Sequence, residues 1–83
     1  DTIVHFHLET DGTPVLRDRV SCCGRCPRHI ALLDDDRILG IANQNSDEVI
    51  LLKRAWEDGS LGTLPVRRIA FPSPSFIREE CSP

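Results

Sequence analysis

The chain of 83 residues repeats itself, and that repeat limits its fold more than any other feature. Asp1-Thr2-Ile3-Val4-His5-Phe6 aligns with Asp47-Glu48-Val49-Ile50-Leu51-Leu52 at a shift of 46 positions. The second copy then carries one extra residue. At a shift of 47, the turn Asp11-Gly12-Thr13 aligns with Asp58-Gly59-Ser60, and Pro27-Arg28-His29-Ile30 aligns with Pro74-Ser75-Phe76-Ile77. Three anchors in one order mark a structural unit. A period of roughly 40–50 residues is that of four-stranded blade repeats, so each unit reads as one blade of a β-propeller.

The content of the repeat agrees. Thr2 to Leu8 alternates, with Val4, Phe6 and Leu8 on one face and Ile3, His5 and His7 on the other. A turn at Thr10–Thr13 leads into a second strand at Val15 to Val20. After a cysteine-rich loop, Arg28 to Leu33 is a strand, Asp34-Asp35-Asp36 a turn, and Ile38 to Asn43 the returning strand. Gln44–Asp47 turns into Val49 to Arg54, and Glu57–Ser60 turns into Leu61 to Phe71. Gly, Pro or Asp-rich turns interrupt every stretch of about ten residues, which excludes long helices. Ile30-Ala31-Leu32-Leu33 and Val49-Ile50-Leu51-Leu52 are apolar on both faces, as strands sandwiched between two neighbouring blades must be.

The expected fold is therefore all-β, built of antiparallel four-stranded β-meander blades, with about two blades of an incomplete ring. Residues 1–26 are expected to end one blade and supply a connecting loop, 27–71 to form one complete blade, and 72–83 to begin the next innermost strand. Trp56, at the turn after the third strand of that blade, reads as a ring covering the meander's edge.

Composition excludes several partners. A net charge of −3 provides no basic field for nucleic acid. No apolar run approaches the roughly 18 residues of a membrane helix. The first residues show neither an initiator Met nor the basic and apolar regions of a signal peptide, so a fragment or processed chain in the cytoplasm is expected. Repeat folds need about three units for stability, so the remaining blades, or other copies of the chain, are expected partners.

Cys22, Cys23 and Cys26 fall within five residues, and Cys81 lies near the C-terminus. Cys23-Gly24-Arg25-Cys26 has the spacing of half a zinc site or of a redox pair. No second such pair follows. Reduced thiols in a loop are the favoured reading, with neither metal nor cofactor expected. His5 and His7 share a strand face and could be read as a metal pair, but an ordinary strand face is favoured. Asp34-Asp35-Asp36 lacks the spacing of a calcium loop and reads as a solvated turn.

The densest polar cluster is Arg25-Cys26-Pro27-Arg28-His29, ahead of an apolar strand. Pro27 is expected to hold Cys26 extended. Arg28 and His29 then project to opposite faces at the strand's first positions. There they would look into the mouth of a propeller's central channel. A guanidinium at that place offers a fixed fork for a carboxylate or phosphate; on spacing alone it serves equally as a structural ion-pair partner. Antiparallel pairing brings Asn43 and Gln44, with Asn45, back beside Arg28 and His29. Their amides could bond a polyhydroxylated ligand or simply cap the turn.

Gly24-Arg25-Cys26-Pro27-Arg28-His29-Ile30-Ala31-Leu32, followed by Ile41-Ala42-Asn43-Gln44-Asn45-Ser46-Asp47 and Val49-Ile50, resembles the repeated signature of lactonase-type seven-bladed propellers. That family includes 6-phosphogluconolactonases and carboxy-cis,cis-muconate cyclases. Phe71-Pro72-Ser73-Pro74-Ser75-Phe76-Ile77 resembles the start of the family's last innermost strand. The resemblance implies that Arg28 binds the anionic group of a lactone or carboxylate substrate, with His29 at the same entrance. It also implies that the general base of the catalytic blade, a glutamate, corresponds here to Gln44, which cannot take a proton. Cys26 stands where Gly or Thr is usual, and Ser75-Phe76 replaces Arg-His in the second repeat. The expectation is thus a fragment of a lactone-hydrolysing enzyme, acting on a sugar lactone such as 6-phosphogluconolactone. It would contribute substrate-binding Arg28, His29, Asn43 and Gln44, contain no catalytic residue, and be inactive alone. The alternatives are a non-enzymatic binding module assembled from several copies, or a small zinc- or disulfide-stapled domain.

Overall fold

In the computed structural model, which describes residues 1–55 and 57–79, six antiparallel strands form two sheets. Strands β1 (Thr2–Leu8) and β2 (Pro14–Ser21) make a two-stranded sheet. Strands β3 (Pro27–Leu33), β4 (Ile38–Asn43), β5 (Glu48–Arg54) and β6 (Leu61–Ala70) make a four-stranded sheet in sequential order. The four-stranded meander expected from the turn spacing is present. Each strand lies within one or two residues of its expected bounds. The only helical element among the described residues is a single 3₁₀ turn, Gln44–Ser46. Trp56, Cys81 and the end of the expected tail lie outside the described residues.

Sheet formation follows from apolar residues in register. Ile30, Ile41 and Ile50 stand opposite one another across β3, β4 and β5, and Leu32, Leu39 and Leu52 do the same one layer on. These residues share the face turned toward β1–β2. There Leu39, Ile41, Ile50 and Leu52 pack with Val20 and Cys22 into one buried cluster, which Ile3 and Leu61 flank. The opposite face carries Ala31, Gly40 and Ala42, and residues 72–79 lie across it. Pro74 is buried. A Cβ at Gly40 would stand 2.9 Å from Leu33 Cδ1 and 3.4 Å from Ile77 Cδ1, so the glycine admits this close approach. Residues 72–79 form no ladder of their own.

The molecule is a slab, with extents of 40 × 35 × 20 Å. Its radius of gyration of 13.2 Å exceeds the roughly 12 Å of a compact globule of this length. A thickness of two layers leaves apolar side chains uncovered. On β3, Ile30 is 46% and Leu32 48% exposed, although both belong to the apolar face. Val4, Phe6, Leu8, Val15 and Leu16 form a second exposed set on β1–β2. In β-propellers generally, apolar sheet faces of this kind are covered by flanking blades.

The repeat is visible in hydrogen bonds as well as in sequence. Asp11 Oδ1 accepts the Thr13 N–H (2.9 Å), and Asp58 Oδ1 accepts the Ser60 N–H (3.0 Å), the same Asx turn in consecutive copies. The Thr13 hydroxyl, then the Thr13 N–H, holds the Asp11 carboxyl below the ordinary value of 3.8. The Ser60 N–H, then its hydroxyl, does the same for Asp58. A depressed carboxyl adds stability that is present above its unfolded pKa and is lost as the pH falls through its folded one. Titration of the side-chain carboxyl shifts by NMR is therefore expected to give midpoints below 3.8 for both residues. Asp11→Asn and Asp58→Asn should each flatten the acid limb of the unfolding curve. Midpoints at or above the ordinary value would contradict the turn geometry.

Candidate functional site

The polar cluster ahead of β3 occupies the free edge of the four-stranded sheet, since β3 pairs only with β4. Its ladder contains an irregularity at one place. Pro27 pairs with Asn43 and His29 pairs with Ala42, which leaves Arg28 as an extra residue. This is a β-bulge, a device that re-aims one side chain out of the regular alternation. Arg28 is exposed, and with Thr2, Ile3, Pro27, His29 and Ile30 it lines a shallow depression of about 280 Å³. Neither recorded ion pair, His5–Asp18 nor Arg68–Glu48, includes Arg28. Among the described residues it is thus a solvated guanidinium without a carboxylate partner.

His29 faces the other way. Its ring stacks on Phe76, with centroids 4.4 Å apart and planes inclined by 19°. Its Nδ1 accepts the Ile77 N–H at 3.0 Å. A ring nitrogen that accepts a hydrogen bond carries no proton, so the neutral ring holds its N–H on Nε2. His29 and Phe76 stand 47 residues apart, at equivalent positions of the repeat. Consecutive units therefore stack through the same position.

The loop between β2 and β3 is laced to the 3₁₀ turn. The Gln44 N–H donates to the Cys26 carbonyl (3.0 Å), and the Asn45 N–H to the Arg25 carbonyl (3.2 Å). The Arg25 N–H donates to Ser46 Oγ (2.7 Å), and the Cys26 N–H to the Asp1 carboxylate. Cys26 is not extended before Pro27, as its sequence context suggests: its φ is 55°. Bonds to both its N–H and its carbonyl overrule the local preference. The second repeat does the same, with Ser73 at φ 47° and its N–H on Asp47 Oδ1 (2.8 Å) ahead of Pro74.

The amides divide. Asn43 is fully buried, and its Nδ2 donates to the Cys22 carbonyl (2.8 Å), so it turns into the protein rather than toward the depression. Gln44 is half-buried in the 3₁₀ turn beside Cys26. Cys22, Cys23 and Cys26 are free thiols, and the Cys22 thiol donates to the Gly24 carbonyl at 3.1 Å. Among the described residues, no group of three or more His, Cys, Asp or Glu is placed to hold a metal ion. No described helix is long and apolar enough to cross a membrane.

A four-stranded meander with this repeat, a laced loop and a bulged arginine on its free edge has relatives. The family model for the lactonase seven-bladed β-propeller matches residues 1–79. The chain belongs to that family. Among solved structures, the Pseudomonas aeruginosa periplasmic gluconolactonase PpgL superposes with a TM-score of 0.89 at 29% identity, over 94% of this chain. A protein from Lactobacillus plantarum superposes with a TM-score of 0.83 at 26% identity, over 90% of this chain. The chain spans 22% of the length of each of these structures. No curated protein sequence matches it.

Sequence reasoning located the cluster but missed the bulge and the stacked pair. The repeat register, which sets Phe76 opposite His29, was the available signal for the second. Aromatic pairs contribute roughly 0.5–1.5 kcal/mol beyond their burial. Phe76→Ala is therefore expected to speed amide exchange at Ile77 by about twofold to tenfold, as hydrogen–deuterium exchange would read. An unchanged rate would show that the stack does not hold residues 74–79 in place.

Proposed function

We propose that this lactonase-family segment contributes the anion-binding part of a site for a sugar lactone such as 6-phosphogluconolactone, which the complete propeller hydrolyses. The observation that carries the reading is Arg28, bulged out of the β3–β4 ladder with no carboxylate partner among the described residues. A guanidinium held in that way presents parallel N–H donors to a phosphate or carboxylate. Membership of the lactonase seven-bladed β-propeller family supports lactone chemistry in the complete ring. The similar Pseudomonas aeruginosa protein is named a gluconolactonase.

Lactone hydrolysis adds water to the ring carbonyl, passes through a tetrahedral oxyanion and expels the ring oxygen as an alcohol. Arg28 would anchor the anionic tail, while His29, stacked on Phe76 with its Nδ1 on the Ile77 N–H, would have only its Nε2 to offer a hydroxyl. Gln44 is an amide and cannot accept the proton of the attacking water, so the general base must come from another blade. The depression beside Arg28 is shallow, with one wall formed by Thr2 and Ile3. On this reading the segment alone turns over no lactone.

The test uses the complete propeller that carries these residues. Arg28→Ala is expected to weaken binding of an anionic lactone by about 1.5–3 kcal/mol, and Gln44→Ala by about 0.5–1.5 kcal/mol. Arg28→Lys should also bind worse, because a point charge cannot replace a bidentate fork. Steady-state kinetics on folded variants reads all three. Wild-type kinetics in Arg28→Ala would leave the arginine no part in binding.

A further inference from the structure

We infer that Asn43 is a positioning residue for Arg28, and that Gly24 is the residue that makes room for it; this rests on Arg28 being the anion anchor. Asn43 is the one buried polar side chain among the described residues, and it lies under the loop that leads into β3. A buried amide is costly unless it is bonded. Its Nδ2 meets the Cys22 carbonyl at 2.8 Å, while its Oδ1 has no partner. What the position gains from the amide is therefore the donor and the volume of the group.

Gly24 shows how closely that volume is used. A Cβ at Gly24 would stand 2.6 Å from Asn43 Nδ2, 2.9 Å from its Cγ and 3.0 Å from Ser46 Oγ. Contacts below 3.0 Å force one partner to move. Here the partner is a buried side chain held at its far end, not a flexible tip in solvent. The loop rests directly on the amide.

The link to Arg28 runs through the backbone. Asn43 pairs with Glu48 on one side and with Pro27 on the other, so β5 fixes its place. Cys23 and Cys26 hold left-handed backbones, with φ of 61° and 55°, which non-glycine residues keep only where their surroundings impose them. At Cys26 the surroundings are the bonds to Asp1 and Gln44, at Cys23 those to Ser21 Oγ and from Arg68, and the residues between and before them bond Asn43, Asn45 and Ser46. Pro27 begins the ladder immediately after this loop, and the bulge at Arg28 follows at once. Lifting the loop off Asn43 moves Pro27, and with it the direction in which the bulge aims the guanidinium.

The variants Gly24→Ala, Asn43→Ala and the double variant test this in the complete propeller. Two lactones serve as probes, 6-phosphogluconolactone and its uncharged counterpart gluconolactone. Arg28→Ala is the control for the underlying site. A misplacement of about 1 Å costs up to about a hundredfold in a positioned interaction. Gly24→Ala is accordingly expected to raise KM for the phosphorylated lactone at least about tenfold. The kcat should change by less than about threefold, and KM for gluconolactone should not move. In the Asn43→Ala background the two contacts below 3.0 Å are gone and only Ser46 Oγ at 3.0 Å remains, so Gly24→Ala should add little, a non-additivity characteristic of residues in contact. Equal rises in KM for both lactones, or additive effects, would overturn the inference. So would a Gly24→Ala protein that fails to fold with and without Asn43→Ala, since the loop would then serve the fold and not the arginine. If Arg28→Ala leaves the phosphorylated lactone unaffected, the anion site itself is misplaced, and that result is separate from the behaviour of Gly24 and Asn43.

Discussion

A sheet that is apolar on both faces has to be covered on both faces, and in this protein the covering starts at β4 and β5. Ile41, Ile50 and Leu52 are fully buried against Val20, Cys22 and Leu39 on one side. On the other side, the absence of a side chain at Gly40 lets Ile77 approach the backbone. Burying a full aliphatic side chain stabilises by roughly 1.5–3 kcal/mol, so this layered stack is the largest favourable contribution the segment can make. The outer strands and the loop before β3 take their positions from it. The same requirement is unmet at Ile30, Leu32 and Phe6, which stay exposed.

The candidate site follows from this rigid centre without belonging to it. Asn43 is the last residue of β4, so its amide is placed by the most buried strand of the protein. The loop folds over it, and Arg28 leaves the ladder immediately beyond. A site carried on a strand end keeps its geometry better than one on a free loop, because the ladder fixes both neighbours of the bulge. The second repeat reuses the junction. Asp47 and Ser73 reproduce the contact between Asp1 and Cys26, and Ser75 stands where Arg28 stands. The same scaffold carries a charge in one copy and a hydroxyl in the next.

Most of the secondary structure was legible in the sequence, because its determinants are local. Alternation, Asp-Gly turns and apolar strand pairs placed β1 to β6 to within one or two residues. The repeat predicted both turns at Asp11–Thr13 and Asp58–Ser60, and it set Phe76 in register with His29. The left-handed backbone at Cys26 ran against the local rule, since a residue before proline favours extended geometry. Contacts to Asp1 and Gln44, 25 and 18 positions away, decided it.

Local residue patterns alone mark the chain as a β-meander with a blade-length period and a polar cluster at the head of one strand. Periodicity and turn chemistry act over a few residues, and a repeat multiplies their signal. Which members of that cluster face solvent is set by long-range contacts. Arg28 is exposed because one extra residue in the ladder turns it outward, whereas Asn43, its neighbour across the strands, is buried beneath a loop that begins 21 positions earlier. Both outcomes depend on the pairing register and on which segment covers which face. Those are settled by the sum of many distant contacts, and no local pattern of residue types records that sum.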